Sequence, residues 1–133
     1  MVRYRSRKSR GASAERDLIH KFWESNWAAM RAAGSGSTTY PSPDIIAGKA
    51  GRRIVIEAKI TVDTHKYLTK DEIRQLEYFA DVFAAEAWVA VKFPRTPWMF
   101  FKPEDLLDAR SSVKATKELG ELRSLSFEEL IEE

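Results

Sequence analysis

Two short apolar segments joined by a turn constrain this chain more than any other feature. Residues 45–47 are Ile-Ile-Ala, residues 53–60 are Arg-Ile-Val-Ile-Glu-Ala-Lys-Ile, and Ala50-Gly51 lies between them. β-Branched residues favour strands, and short turns containing glycine join antiparallel neighbours. The pattern therefore predicts a β-hairpin whose second strand is buried in a sheet.

The segment before this hairpin predicts one helix followed by irregular structure. Ser13 can cap a helix whose apolar residues recur at helical spacing to about Ser25, and Asn26 can end it. Residues 27–33 fit either a helix or a short strand. Residues 34–39, Gly-Ser-Gly-Ser-Thr-Thr, predict a mobile loop.

Beyond the hairpin, the pattern alternates between helix and strand. Residues 61–68 predict a polar loop, and Thr69 with Glu72 forms a capping box that opens a second helix. Two apolar runs, residues 87–91 and 98–101, predict further buried strands.

The C-terminal part is less determined by its sequence. Pro103 opens a helical turn, and Ser126 with Glu129 forms a second capping box. Residues 108–124 are charged and fit either a loop or a helix, so the structure of residues 108–133 stays open. Together, the elements predict an α/β chain with a mixed central β-sheet flanked by helices, in a single domain of 133 residues.

Composition excludes several kinds of site and location. The chain has no cysteine, which excludes a disulfide scaffold, a thiolate zinc site and a cysteine nucleophile. His20 and His65 are its two histidines, so a histidine-rich metal site is not expected. No apolar run approaches the roughly twenty residues that span a bilayer, and the N-terminus lacks the apolar core of a signal peptide. We therefore expect a cytoplasmic protein with no membrane partner.

Basic residues are concentrated at the N-terminus. Six of them fall in the first sixteen residues and are opposed there only by Glu15: Arg3, Arg5, Arg7, Lys8, Arg10 and Arg16. Residues 1–10 thus predict a flexible basic arm that binds DNA phosphates through Arg7, Lys8 and Arg10. A solubilising tail is the alternative. Lys66, beside Tyr67 in the predicted polar loop, is a further candidate for phosphate contact.

Three charged residues of the hairpin point to phosphodiester chemistry. Glu57 and Lys59 are two positions apart on a predicted strand, so both side chains point to the same face. Asp44 follows Pro43 and opens the neighbouring strand, so the hairpin can bring it beside Glu57. The alternative is an ordinary solvated salt bridge between Glu57 and Lys59.

This combination suits a hard metal ion at a reacting phosphate. Two carboxylates, with the backbone carbonyl of Ala58 between Glu57 and Lys59, can hold Mg²⁺, and Mn²⁺ can replace it. Such a metal lowers the pKa of bound water and polarises a phosphoryl oxygen. Lys59 can orient or help deprotonate the water and can offset developing negative charge.

Four segments, in this order along the chain, are typical of one nuclease superfamily. They are Arg7-Lys8-Ser9-Arg10-Gly11 with Ala14-Glu15-Arg16-Asp17-Leu18, residues 30–37, Pro43-Asp44-Ile45-Ile46-Ala47, and Ile56-Glu57-Ala58-Lys59. Over about residues 5–107 the chain resembles the PD-(D/E)xK superfamily and, within it, the archaeal Holliday junction resolvases. The resemblance implies a restriction-endonuclease-like fold and a homodimer that resolves four-way DNA junctions in recombination and repair by symmetric, metal-dependent hydrolysis.

The resemblance also implies roles for individual residues. The implied catalytic residues are Glu15, Asp44, Glu57, Lys59 and Ser37, and the implied carboxylate ligands of the metal are Glu15, Asp44 and Glu57. The implied DNA contacts are Arg16, Arg31 and Ser35. Exposed helical charges are the alternative for Glu15 and Arg16, and a surface charge is the alternative for Arg31.

The residues of the dimer contact and the kind of DNA substrate each have alternatives. We expect the second helix and the strands near Trp88 and Trp98 to supply an apolar dimer interface, although these residues could instead fill the core of one chain. A related nuclease that acts on other branched or damaged DNA is an alternative to the resolvase. A DNA-binding module without turnover is a third hypothesis.

Overall fold

The computed structural model describes residues 7–32 and 39–132, with side chains from Gly11 onward. The strands are β1 (Ala28–Arg31), β2 (Ile45–Lys49), β3 (Arg52–Ile60), β4 (His65–Thr69), β5 (Glu86–Lys92), β6 (Trp98–Phe101), β7 (Leu107–Ala109) and β8 (Ser112–Thr116). The helices are α1 (Arg7–Glu24), α2 (Lys70–Phe83), α3 (Lys117–Arg123) and α4 (Phe127–Glu132), and a 3-10 helix spans Pro103–Asp105.

The predicted hairpin lies in a five-stranded mixed sheet with the order β1-β2-β3-β5-β6. β2 and β3 are antiparallel, with Ile45 opposite Ile56, and Gly51 takes a positive φ of 84° in the turn between them. β3 is parallel to β5 along its other edge, and β5 is antiparallel to β6. The hairpin and the two later strands are thus confirmed.

Helices cover both faces of this sheet. On one face, α1 and α4 form a core with β3, in which Leu18, Phe22, Phe127 and Ile56 are buried. On the other face, α2 packs against Val55 and the neighbouring strand β5. The two cores follow from the alternation of side chains along buried strands. The predicted α/β architecture is confirmed.

A second, three-stranded sheet has the order β4-β8-β7. The prediction of a loop over residues 61–68 is wrong, because His65–Thr69 forms β4. This strand pairs with β8, with Thr69 opposite Ser112 and Lys66 opposite Ala115. Leu68 is the one buried residue of β4, so the segment lacks the apolar alternation that predicts a strand. The C-terminal segment, whose structure the sequence left undecided, forms β7, β8, α3 and α4.

The first helix begins earlier than its capping signal predicts. α1 starts at Arg7, and Ser13 lies inside the helix, so the start at Ser13 is wrong, as is a flexible arm as far as residue 10. Arginine, lysine and alanine are good helix formers, and the basic run therefore extends the helix. Residues 1–6 of the predicted arm lie outside the described residues.

The segment after α1 resolves the choice between helix and strand. Asn26 takes a positive φ of 66° and the N–H of Trp27 bonds to the carbonyl of Phe22 at 2.9 Å, so the helix ends as predicted. The chain then forms β1, which pairs with β2. Of the two alternatives for residues 27–33, the strand is correct over Ala28–Arg31. The predicted loop, residues 34–39, lies outside the described residues except for Thr39.

Trp88 and Trp98 fill the core on the α1 side of the sheet. Their side chains are 3% and 7% exposed. The two indoles therefore fill the core of one chain, which was the alternative for them, and a dimer contact through the neighbouring strands and α2 stays a prediction. In the described part of the chain, no helix combines the length and apolar character needed to cross a bilayer.

Candidate active site

Backbone hydrogen bonds hold Asp44 at the start of β2. Its N–H donates to the carbonyl of Ile56 at 3.0 Å, and its carbonyl accepts from the N–H of Ala32 at 2.9 Å. Its side-chain Oδ2 accepts from the N–H of Ala58 at 2.9 Å. Pro43 is buried beside it. The carboxylate is therefore fixed beside the middle of β3, as the hairpin predicts.

Glu57 and Lys59 share the face of β3 that Val55 occupies, because side chains alternate along a strand. Lys59 Nζ lies 3.4 Å from Glu57 Oε2. Their side chains are 24% and 16% exposed, so the alternative of an ordinary solvated salt bridge does not describe this pair. Burial, followed by repulsion from Asp44, raises the pKa of Glu57 to about 8 although Lys59 opposes the shift.

Lys59 makes its shortest ion pair with a residue outside the hairpin. Its Nζ lies 2.6 Å from Oε2 of Glu72, near the start of α2. Burial alone would lower the pKa of Lys59, but the hydrogen bond to Glu72 and the charges of Glu57 and Asp44 outweigh it, so the net pKa is raised. Lys59 is therefore a cation at neutral pH.

The capping box prediction is confirmed, but it did not indicate the contact of Glu72 with Lys59. Glu72 Oε1 accepts from the N–H of Thr69 at 3.0 Å, and Glu72 N–H donates to Thr69 Oγ1 at 3.0 Å. Burial acts to raise the pKa of Glu72, but the hydrogen bonds from Lys59 and Thr69 lower it overall. A Thr-x-x-Glu pattern signals the cap alone, so no local signal marks this residue as part of the site.

Glu15 approaches the site from α1. Its Oε2 accepts a hydrogen bond at 2.9 Å from Nε of Arg31, the last residue of β1. Burial raises the pKa of Glu15, the bond from Arg31 opposes this, and the charge of Asp44 raises the pKa further. Glu15 and Arg31 are thus paired with each other rather than exposed as separate surface charges, and Glu15 lies close enough to Asp44 to sense its charge.

The residues predicted to contact DNA are spread more widely. Arg16 is exposed on α1, and Lys66 lies on β4 rather than in a loop. Ser35 and Ser37 lie outside the described residues, as do the side chains of Arg7, Lys8 and Arg10. Arg31, on β1, forms the ion pair with Glu15.

A divalent cation fits the electrostatics of the Asp44–Glu57 pair. Burial, followed by repulsion from Asp44, raises the pKa of Glu57, and a bound cation would offset both effects. The Ala58 N–H faces Asp44, and in a strand the carbonyl of the same residue lies along the same edge. Across residues 7–32 and 39–132, no three His, Asp or Glu side chains converge on one metal position. The fit therefore rests on two carboxylates and a backbone oxygen, and Glu15 as a third carboxylate ligand stays a prediction.

Comparison with known proteins gives one consistent result. The sequence profile of the family described as archaeal Holliday junction resolvase (Hjc) matches residues 6–133. The crossover junction endodeoxyribonuclease Hjc of Archaeoglobus fulgidus is 46% identical over 101 residues, which are 76% of this chain and 74% of that protein. The protein of the same name from Methanocaldococcus jannaschii is 33% identical over 92 residues, covering 69% of this chain and 64% of that protein.

The fold agrees with these sequence matches. The solved structure of Archaeoglobus fulgidus Hjc, titled as a Holliday junction resolvase from an archaeal hyperthermophile, superposes with a TM-score of 0.85 at 37% identity, covering 94% of this chain and 98% of that one. The expected restriction-endonuclease-like fold is thereby confirmed. Because the profile spans nearly all of the sequence and the fold matches end to end, the chain belongs to the archaeal Holliday junction resolvase family.

Proposed function

We propose that this chain is an endonuclease that resolves four-way DNA junctions by metal-dependent hydrolysis of phosphodiester bonds, acting as a single nuclease domain. The observation that carries the proposal is the convergence of Asp44, Glu57 and Lys59 on one hairpin in a chain of this family. Curated relatives carry the name crossover junction endodeoxyribonuclease, which supports the same substrate here.

Asp44 and Glu57 would hold Mg²⁺, with Mn²⁺ as a substitute, and the Ala58 carbonyl would add a backbone oxygen. The bound metal supplies an activated water and a polarised phosphoryl oxygen. The protein supplies rigid placement: Asp44 is bonded to the backbone of Ala58, and Glu57 extends from the centre of the sheet. Metal binding to Glu57 requires loss of its proton, so affinity should rise with pH.

Lys59 acts as a cation in this proposal rather than as a general base. In the metal-free protein, the bond to Glu72 and the nearby carboxylates raise its pKa, which favours the ammonium form at neutral pH. A partly buried ammonium beside the metal carboxylates is suited to offset negative charge that develops on the phosphate. Of the roles that the sequence predicts for Lys59, charge stabilisation has the better support.

Glu15, on α1, orients the guanidinium of Arg31 through their ion pair, close to Asp44. The remaining DNA contacts in the proposal are Arg7, Lys8, Arg10, Arg16, Ser35, Ser37 and Lys66. Most of these are cations, and they would bind phosphates without reading bases, which suits recognition of a junction by its shape.

A homodimer completes the proposal. Four-way junctions have two-fold symmetry, and a two-fold dimer presents two sites to opposed strands. Exposed apolar side chains on α2 support this helix as the contact: Tyr78 is 62% exposed, Val82 73% and Phe83 39%. Adjacent exposed apolar residues of this kind mark interaction surfaces.

The test compares a labelled synthetic four-way junction with a linear duplex of matched sequence, each with Mg²⁺ or with EDTA. Paired nicks in the junction alone, dependent on the metal, are expected. The Asp44→Asn variant should still bind the junction but not cut it, because it loses a metal carboxylate.

The other outcomes separate the alternatives. Equal cutting of the linear duplex would move the assignment to a nuclease with another substrate. Tight binding of the junction without cutting in Mg²⁺ or Mn²⁺ would indicate a binding module. Wild-type cutting by Asp44→Asn would rule out the metal assignment.

A further inference from the structure

The Lys59 ammonium is paired more closely with α2 than with its own strand. Its Nζ lies 2.6 Å from Glu72 Oε2 but 3.4 Å from Glu57 Oε2. The first distance is that of a short charge-assisted hydrogen bond, and the second is longer than such a bond. Lys59 is thus drawn toward Glu72 and away from the carboxylate that is proposed to bind metal.

Glu72 is itself held at both carboxylate oxygens. Oε1 accepts from the backbone N–H of Thr69, and Oε2 accepts from Lys59. Both partners are donors, so the position requires two acceptor oxygens. Its side chain is 34% exposed, and these two bonds give it less freedom than an exposed surface pair has.

The N-terminal end of α2 is a fixed point in the fold. Thr69 is the last residue of β4 and pairs with Ser112 in the small sheet, and α2 packs against β3 and β5. Leu68 and Ile73, on either side of this helix start, are buried in the core on the α2 side. A side chain anchored here therefore has a defined position relative to β3.

We propose that Glu72 is a positioning residue, which holds the Lys59 ammonium between α2 and Glu57 and so limits its contact with the metal-binding carboxylate to the longer 3.4 Å ion pair. This inference rests on the proposed catalytic role of Lys59. Without Glu72, the Lys59 ammonium closes onto Glu57, occupies a carboxylate oxygen and no longer faces the reacting phosphate.

Glu72→Gln is the variant that tests this role with the least change to the helix. Glutamine also serves in a capping box, so its single oxygen can still accept from Thr69. Its amide nitrogen is a donor and cannot accept from Lys59. Glu129→Gln is the matched control, because Glu129 closes the other capping box by accepting from the N–H of Ser126 and has no lysine partner among the described ion pairs.

The expected result is a split between rate and binding. Under single-turnover conditions Glu72→Gln should cut the junction about ten- to a hundredfold more slowly, since a small misplacement of a reacting group has effects of that size. Its affinity for the junction in EDTA and its melting temperature should match those of Glu129→Gln, which should cut at the wild-type rate.

Lysine-ammonium NMR gives a readout that does not depend on cleavage. In metal-free wild-type protein, a short bond to Glu72 should slow proton exchange at Lys59 Nζ enough to give a separate ammonium signal, assigned by its loss in Lys59→Gln. The signal should shift in Glu72→Gln, where Glu57 becomes the nearest carboxylate, and should keep its position in Glu129→Gln. Absence of the signal from the wild-type protein would overturn the proposal whatever the variants do.

Failures of the two proposals are distinguishable. If Lys59→Gln is inactive and Glu72→Gln cuts at the wild-type rate, the positioning role is overturned and the catalytic site stands. If Glu72→Gln and Glu129→Gln are slowed equally, helix capping accounts for the loss and the positioning role is overturned. If Lys59→Gln cuts like the wild type, the catalytic assignment of Lys59 is wrong and the inference falls with it.

Discussion

The two faces of β3 differ in what their side chains contribute. Toward α1 and α4, Ile54 and Ile56 are fully buried in an apolar core. Toward α2, Val55 is buried, but the next two residues on that face are Glu57 and Lys59. The face with Ile54 and Ile56 therefore stabilises the fold. The other face stabilises it at Val55 and carries the candidate catalytic residues at Glu57 and Lys59.

The charged face opposes folding in part. A carboxyl group whose pKa is raised by burial and by a like charge destabilises the folded state whenever it is ionised. Such groups cluster at functional sites, where the surrounding fold must hold them in place. The apolar face of the same strand supplies some of the stability that offsets this cost.

The largest expected effect comes from the charged face. Glu57→Gln keeps the size of the side chain and removes the carboxylate, so junction cleavage in Mg²⁺ should fall by about a thousandfold or more. Its free energy of unfolding should not fall, because the cost of burying this carboxyl beside Asp44 is removed. Cleavage assays and urea denaturation measure the two quantities, and a variant that is active but unstable would contradict the contrast between the faces.

The neighbouring residue on the apolar face should behave in the opposite way. Ile56→Ala leaves a cavity beneath α1 and should lower the free energy of unfolding by about 2–5 kcal/mol. Cleavage by the folded fraction should stay near the wild-type rate, measured well below the melting temperature. A large loss of rate in fully folded protein would show that this face also positions the site.

The raised pKa of Glu57 should make the free energy of unfolding depend on pH, which can be measured without substrate. The folded protein keeps a proton on Glu57 up to about pH 8, whereas the unfolded chain loses it near the ordinary pKa of 4.5. In metal-free protein, the penalty from Glu57 is therefore absent below pH 4.5 and grows as pH rises through this window, so the free energy of unfolding should fall.

Glu57→Gln provides the comparison for this pH effect. Its unfolding free energy, measured by urea denaturation in EDTA at several pH values, should fall less steeply across the same window. The raised pKa of Glu15 should leave a smaller residual slope of the same sign. Identical slopes in the two proteins would contradict the raised pKa of Glu57.

Local patterns in the sequence account for the part of the site that lies on the hairpin. Alternation places Glu57 and Lys59 together, and the turn at Gly51 sets the register that brings Asp44 to Ala58. These contacts depend on neighbouring strands with a short connection, and such pairings can be predicted from sequence.

Contacts that depend on distant pairing could not be predicted in the same way. Glu72 reaches Lys59 only because α2 packs across β3, and its sequence signal describes the cap instead. β4 pairs with β8 from Thr69↔Ser112 onward, and few of its side chains are buried, so neither strand has a clear period. Such polar strands are specified by tertiary packing rather than by pattern.

The smallest expected effect concerns the start of α4, on the apolar side. Ser126 Oγ accepts from the N–H of Glu129 at 3.1 Å, as Thr69 does for Glu72 on the charged side. Ser126→Ala should lower the free energy of unfolding by about 1 kcal/mol. Because α4 packs on the face that carries Ile56, cleavage of the junction by folded protein should be unchanged. A slowed cleavage rate at full folding would mean that α4 also influences Lys59 or its neighbours, and the division of β3 into a stabilising face and a chemical face would then be too simple.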